Sequence, residues 1–265
     1  TVKALAGASV QISDKDVAEA QTFHDQQLQA AAGTRRLSLK KLTPKTTGNL
    51  DQDFAGAEII RFQKSDATAV RSVATWDDQN LYLAWDVRDR TPWVNGAEQP
   101  ENLYLSGDTV DFQLGTNGSA DAKRDKAAAG DLRVSIGNFK GTPTAVLYRP
   151  VAEKDRSRTP KTFSSGVIKE YVVADVAVLP DARITFTKRN DGYVIEAAIP
   201  LAALEFTPSA GQTLHGDFGV TYGDPAGQRT RLRSYWNNQH TGIVDDAVFE
   251  LMLEPKNWGE LSIAE

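Results

Sequence analysis

The stretch "NLYLAWDVRD", residues 80–89, alternates with a period of two. Leu81, Leu83, Trp85 and Val87 fall on one side and Tyr82, Ala84, Asp86 and Arg88 on the other, the pattern of a strand with one dry and one wet face. The same period recurs along the chain in short runs separated by Gly, Pro, Asn and Asp. It predicts strands near 37–42, 57–62, 68–76, 80–88, 108–115, 131–137, 144–149, 170–178, 182–188, 192–199, 216–222, 229–236, 247–253 and 259–263. After the strand "GYVIEAAI", the segment "PLAALEF" reads as a helical turn that starts at Pro200. No fixed-period repeat emerges, which argues against propellers and solenoids.

Ahead of these strands the period changes. "ISDKDVAEAQTFHDQQLQAAAG" reads as one helix, with Ser13 as N-cap and Asp16 in the capping-box position. Ile12 and Val17 form a hydrophobic staple, and Gly33 follows the last turn. Its narrow stripe of Val17, Ala20, Phe23 and Leu28 suits docking on the main body, with His24 at the surface. Residues 1–36 are therefore expected to form a helical appendage and residues 37–265 one β-domain. The fold class is all-β: an antiparallel β-sandwich, jelly-roll-like with immunoglobulin-like packing, preceded by the helix.

Composition narrows the function. The chain has 265 residues, 40% hydrophobic and 25% charged, enough for one large domain with a closed core. Its net charge of −5 supplies no global basic field, which disfavours nucleic acid and anionic membranes as partners. No apolar run is long enough to cross a bilayer. The stretch "TVKALAGASV" lacks signal-peptide regions, so the chain reads as mature or as cut from something larger. With no Cys, disulfides, thiolate metal sites, Cys nucleophiles and covalent haem attachment are excluded. No nucleophile elbow, phosphate-binding loop, zinc-protease or dinucleotide motif is present. His24, His215 and His240 are scattered, and Asp108 and Asp111, three apart on one run, point to opposite faces. The chain reads as noncatalytic.

The order of segments is distinctive. "TGNLDQDFAGAEII", "VATWDDQNLYLAWDVRDRTP", "GDTVDFQLG", "RNDGYVIEAAIPLAALEF", "FGVTYGDPAGQRTRLRSYW" and "NWGELSI" together resemble the family 9 carbohydrate-binding modules and their DOMON-like relatives. The resemblance spans residues 37–265. It implies a β-sandwich whose concave sheet binds a sugar, commonly at a chain end, with frequent structural calcium and no catalysis; related domains bind haem. The family's acidic residue falls on Asp111 and its arginine on Arg133, and strand parity puts both on one solvent-accessible face. The two aromatic residues that sandwich the sugar do not carry over: their places fall on Leu105 and near Ile243.

A sugar site needs aromatic faces for C–H patches together with convergent polar groups. The available set is Tyr104, Trp93 in the 90–107 insertion, Tyr82, and Trp236 with Asn237, Asn238 and Gln239. Trp76, Trp85 and Trp258 read as core residues; for Trp93 and Trp236, core packing and a ligand role both stand. The wet face of residues 80–89 is expected to continue through Asp111 and Arg133, rimmed by the Trp93 loop. Arg229, Arg231 and Arg233 share a strand face that would suit an anionic glycan or else pair with neighbouring carboxylates. On the resemblance alone, Asp51, Asp53 and Asp89 are candidate calcium ligands. The lone Met252 reads as core rather than as a haem ligand. The expectation is a noncatalytic carbohydrate-binding module of a larger exported protein, secreted or periplasmic. The alternatives are a haem-binding or electron-transfer DOMON-like domain and a structural interaction domain of a larger enzyme.

Overall fold

The structure is a computed structural model and describes residues 33–152, 158–240, 244 and 246–265. The helix expected before Gly33 lies outside the described residues, as do His24 and Ile243. The first strands are β1 (Arg36–Lys41), β2 (Ile60–Phe62), β3 (Val70–Trp76), β4 (Asn80–Arg88) and β5 (Thr109–Gly115), with the short helix α1 (Leu50–Asp53) after β1. Next come β6 (Asp131–Phe139), β7 (Thr142–Arg149), β8 (Lys161–Phe163), β9 (Tyr171–Val173), β10 (Asp175–Val178) and β11 (Arg183–Lys188). The chain ends with β12 (Gly192–Pro200), α2 (Leu201–Leu204), β13 (Thr213–Gly223), β14 (Thr230–Tyr235) and β15 (Gly259–Ile263).

These strands make two layers. The first runs β10-β7-β6-β5-β13-β15-β1, with β14 taking the second half of the β13 edge whose first half β15 occupies. The second runs β1-β3-β4-β12-β11, with β2 on β3. β1 belongs to both. Its residues 36–39 pair in parallel with β15, and Lys40 and Lys41 pair in parallel with β3. The sandwich is thus one curled sheet, antiparallel except at this shared strand. Between the layers lie Leu83, Trp85 and Ile195 from one side and Phe112, Val134 and Phe218 from the other. Phe218 is the contact point, its ring centroid 4.8 Å from Phe112 and 5.8 Å from Trp85.

Most strands stand where the alternation puts them, and the exceptions have local causes. The expected strand 247–253 is a turn. The Asp246 carboxylate accepts the N–H groups of Val248 (3.0 Å) and Phe249 (2.9 Å), and the Glu250 and Met252 N–H groups reach back four residues. Val248 and Leu251, three apart, then bury together, which a strand does not allow. The run 170–178 divides at Ala174: β9 pairs with the unforeseen β8, and β10 pairs with β7. The run 57–62 shortens to β2.

The wet face assigned to β4 is another correction, because Tyr82 and Ala84 are buried. Residues 47–57 fold over that outer face and bring Leu50 and Phe54 against Tyr82, Ala84 and Ala198. The segment is pinned by carboxylates. Asp53 accepts the N–H groups of Thr47 (2.6 Å) and Asn49 (3.2 Å), while Glu196 on β12 accepts that of Gly48 (2.6 Å). Gly48 has φ +90°, and a Cβ there would stand 2.2 Å from the Thr187 hydroxyl, so only glycine lets the loop sit this close. Burial, helped by the hydrogen bond and charge of Asp53, pushes the Glu196 carboxyl up to about 7 against the Gly48 N–H. Burial also works to raise Asp53, but the donors from Thr47, Asn49 and Glu196 hold it below the usual carboxylate range. The opposed shifts make Glu196, not Asp53, the member of the pair that takes up a proton first.

Phe54→Ala removes a fully buried ring and should destabilise the domain by about 3–5 kcal/mol in chemical denaturation, whereas a loss below about 1 kcal/mol would mean the segment is only laid on the surface. A carboxyl raised to about 7 in the folded state favours folding below its ordinary 4.5 and loses that contribution as pH rises through 7. The melting temperature should accordingly fall between pH 5 and pH 8 through this group. Glu196→Gln, whose amide donates to Asp53 at every pH, should flatten that slope; identical slopes in both proteins would rule out proton uptake by Glu196.

Candidate functional site

Asp111 on β5 and Arg133 on β6 occupy the outer face of the first layer, diagonal neighbours on paired strands. Arg133 donates Nη2 to Asp111 Oδ2 at 2.8 Å and Nε to Oδ1 at 3.2 Å, a two-point contact that fixes both side chains. Ser135 Oγ and Tyr235 OH donate to the same carboxylate at 2.5 and 2.9 Å. The remaining Arg133 nitrogen, Nη1, donates to the Glu250 carbonyl, and the guanidinium lies 5.5 Å from the Tyr104 ring centroid. The two residues do meet on one face, but that face is closed, since each is 0% exposed. The cause is the turn 246–252. Its Val248 and Leu251 pack with Leu103, Tyr104, Val146, Tyr148, Phe163 and Val173 into a second apolar cluster over this layer.

The other residues expected at a sugar site are built into the structure. Tyr104 is fully buried, packs edge-on to Tyr148 and Phe163, and donates its hydroxyl to the Ala247 carbonyl. Trp93 is buried at the far end of the second layer, stacked on Phe186 at 4.8 Å and close to Tyr193. Trp236 is fully buried in the inter-layer core. Asn237 and Asn238 donate backbone N–H groups to Asp217 at 2.9 and 2.8 Å. Tyr82 points out of the opposite layer and donates to Asp77 at 2.6 Å. It therefore shares no face with Asp111, and the expected continuous wet surface does not exist. Trp76 and Trp85 are core residues as read, while Trp258, though buried, lies outside the first layer, bonded to Gln113 at 2.7 Å and covered by Arg124.

The aspartates proposed for calcium do not converge. Asp51 pairs with Arg71, Asp53 serves the Thr47–Asn49 loop, and Asp89 lies beyond the far end of β4, accepting from Thr91. Asp51 is taken by a guanidinium, Asp53 by the N–H and hydroxyl donors of its loop, and one Asp89 oxygen by Thr91. Among the described residues no group of three or more His, Asp or Glu could hold a metal ion. Asp51, Asp53 and Asp89 thus do not fit a shared calcium site.

One cleft on this face does remain open beside the closed pair. It has a volume of about 470 Å³, in the size class of small-ligand sites, and is walled by Tyr171, Phe249 and Met252 with Val151. Asp125 and Lys126 stand at its rim, joined by Glu254. Tyr171 and Phe249 are half-buried, each presenting part of a ring. Reading 170–178 and 247–253 as strands hid both. The signal available was Asp246, a residue type that starts turns by bonding to N–H groups two and three positions ahead. Of the three arginines on the β14 run, Arg229 and Arg231 are exposed, whereas Arg233 is buried over the Tyr235 ring.

Comparison with known proteins agrees with this architecture. A carbohydrate binding module family 9 from Caldicellulosiruptor kristjanssonii, solved with cellotriose, superposes with a TM-score of 0.56 at 16% identity, covering 87% of this chain and 94% of that one. The structure of such a module from the same organism with glucose gives 0.53 at 17% identity, covering 86% and 95%. At these identities the likeness concerns the fold. No curated protein matches the chain. Residues 51–264 match the family described as carbohydrate family 9 binding domain-like, and over that span, most of its length, the chain belongs to this family.

Proposed function

We propose that the domain binds carbohydrate without transforming it, in the cleft that Tyr171, Phe249 and Met252 wall beside the Asp111–Arg133 pair. Family membership over residues 51–264 carries the noncatalytic, carbohydrate-binding part of this reading. The location rests on the cleft itself. Sugar rings offer C–H patches to aromatic faces and hydroxyls to charged groups, and Tyr171 and Phe249 supply the first while Asp125, Lys126 and Glu254 supply the second. Asp111 and Arg133 act from beneath. By holding the Glu250 carbonyl they fix the turn that carries Phe249 and Met252, so they position the wall instead of touching the ligand. The same reading carries an exported location, secreted or periplasmic, and a place as one module of a larger polypeptide whose other domains are its partners.

Cellotriose and glucose, held by the two solved modules, are the first ligands to titrate. An aromatic face contributes about 0.5–1.5 kcal/mol, so Tyr171→Ala and Phe249→Ala should each weaken the bound oligosaccharide roughly 2- to 12-fold in calorimetry. Neither ring is fully buried, and melting temperatures should move little. Unchanged affinity in both variants would move the site elsewhere.

A further inference from the structure

The outer face of the second layer is covered at one end by residues 47–57 and open at the other. There, Arg61 on β2 stands opposite Arg71 on β3, which stands opposite Asp86 on β4. Arg88, two residues along β4, and Arg189, in the turn between β11 and β12, complete the rim of a cleft of about 380 Å³. Four guanidiniums thus gather in a protein of net charge −5. Like charges directly across two strands are unfavourable unless countered, and carboxylates stand among them. Asp86 takes Arg71 at 3.4 Å and Arg189 at 2.6 Å, Asp191 takes Arg88 at 3.4 Å, and Asp51 reaches Arg71 from α1. The side chains of Arg88 and Arg189 are 50% and 44% exposed and so reach solvent, where ion pairs exchange at modest cost, Arg88 donating as well to the Asp66 carbonyl at 2.9 Å. Arg71 by contrast is held on the floor by two carboxylates.

We infer that this cleft is a second binding site, which takes an oxyanion carried on a sugar residue, a carboxylate or a sulfate. Guanidinium forks grip such groups in two-point contacts, and Arg88 and Arg189 can turn from their aspartates to do so while Arg71 stays in place. That the anion comes on a sugar rests on the carbohydrate-binding reading; the cationic cleft itself does not. The anionic preference first sought on Arg133, Arg229, Arg231 and Arg233 is thereby assigned to the opposite layer.

Calorimetric titration of the full chain with trigalacturonate, a neutral trigalactoside and a sulfated trigalactoside tests this. Trigalacturonate or the sulfated sugar should bind, the neutral one should not bind at this cleft, and affinity should fall at least several-fold between 20 and 200 mM NaCl. The double variant Arg88→Ala with Arg189→Ala should lose at least 10-fold for the acidic sugar while binding cellotriose as the parent does. Tyr171→Ala should leave the acidic sugar's affinity alone, which separates this site from the first. The relative strength of the two acidic sugars identifies the preferred oxyanion. Binding that is equal for neutral and acidic sugars, or unchanged in the double variant, or matched by acetate at the same concentration, would overturn the inference.

Discussion

The outer face of the first layer is organised around one buried ion pair. Asp111 and Arg133 are fully enclosed, Ser135 and Tyr235 donating to the carboxylate while the guanidinium meets the Glu250 carbonyl and the Tyr104 ring. Burying two charges is costly, and such a pair persists only when its remaining donors and acceptors are satisfied. Loss of either partner would strand the other at a cost of about 3–5 kcal/mol. The Glu250 carbonyl is the link to the surface, because it ties the pair to the turn 246–252 and to the apolar cluster of Val248 and Leu251. A charge pair on two strands thereby fixes the wall of a cleft that neither charge touches.

The second layer uses the same device with a different chemistry. Residues 47–57 are held down by Asp53 and Glu196, and their Leu50 and Phe54 cover the outer face at Val73, Tyr82, Ala84 and Ala198. Each layer thus carries a cover tied down by a buried charged group, Arg133 on the first and Asp53 with Glu196 on the second, and leaves an open cleft beside it. On the first layer the cleft is aromatic and mixed in charge; on the second it is lined by arginines. The two faces are separated by the core around Trp85, Phe112 and Phe218, so their ligands need not compete.

The alternation in the sequence was enough to read the layers. Leu83 and Trp85 of β4, and Val110 and Phe112 of β5, do face the core, and the parity that joins Asp111 with Arg133 holds in the structure. Parity gives the side of a strand, and it does not tell what covers that side. Tyr82 and Ala84 looked wet because the helix that covers them, "LDQD", is four residues long and reads as an acidic turn. Asp111 and Arg133 looked accessible because "VFELML" alternates like a strand while Asp246 bends it into a turn. The aspartates read as calcium ligands are spread apart on separate tasks, Asp51 on Arg71, Asp53 on the Thr47–Asn49 loop and Asp89 on Thr91. Trp93 and Trp236, left open between core and ligand, are both buried.

A crystal structure of the domain with a bound oligosaccharide bears most directly on the claim that Asp111 and Arg133 support the recognition face from beneath. The account expects the sugar against Tyr171 and Phe249, with Arg133 still donating to the Glu250 carbonyl and the turn 246–252 in place. Sugar hydroxyls bonded to Arg133 or Asp111, with Glu250 displaced and the turn lifted from the sheet, would contradict it.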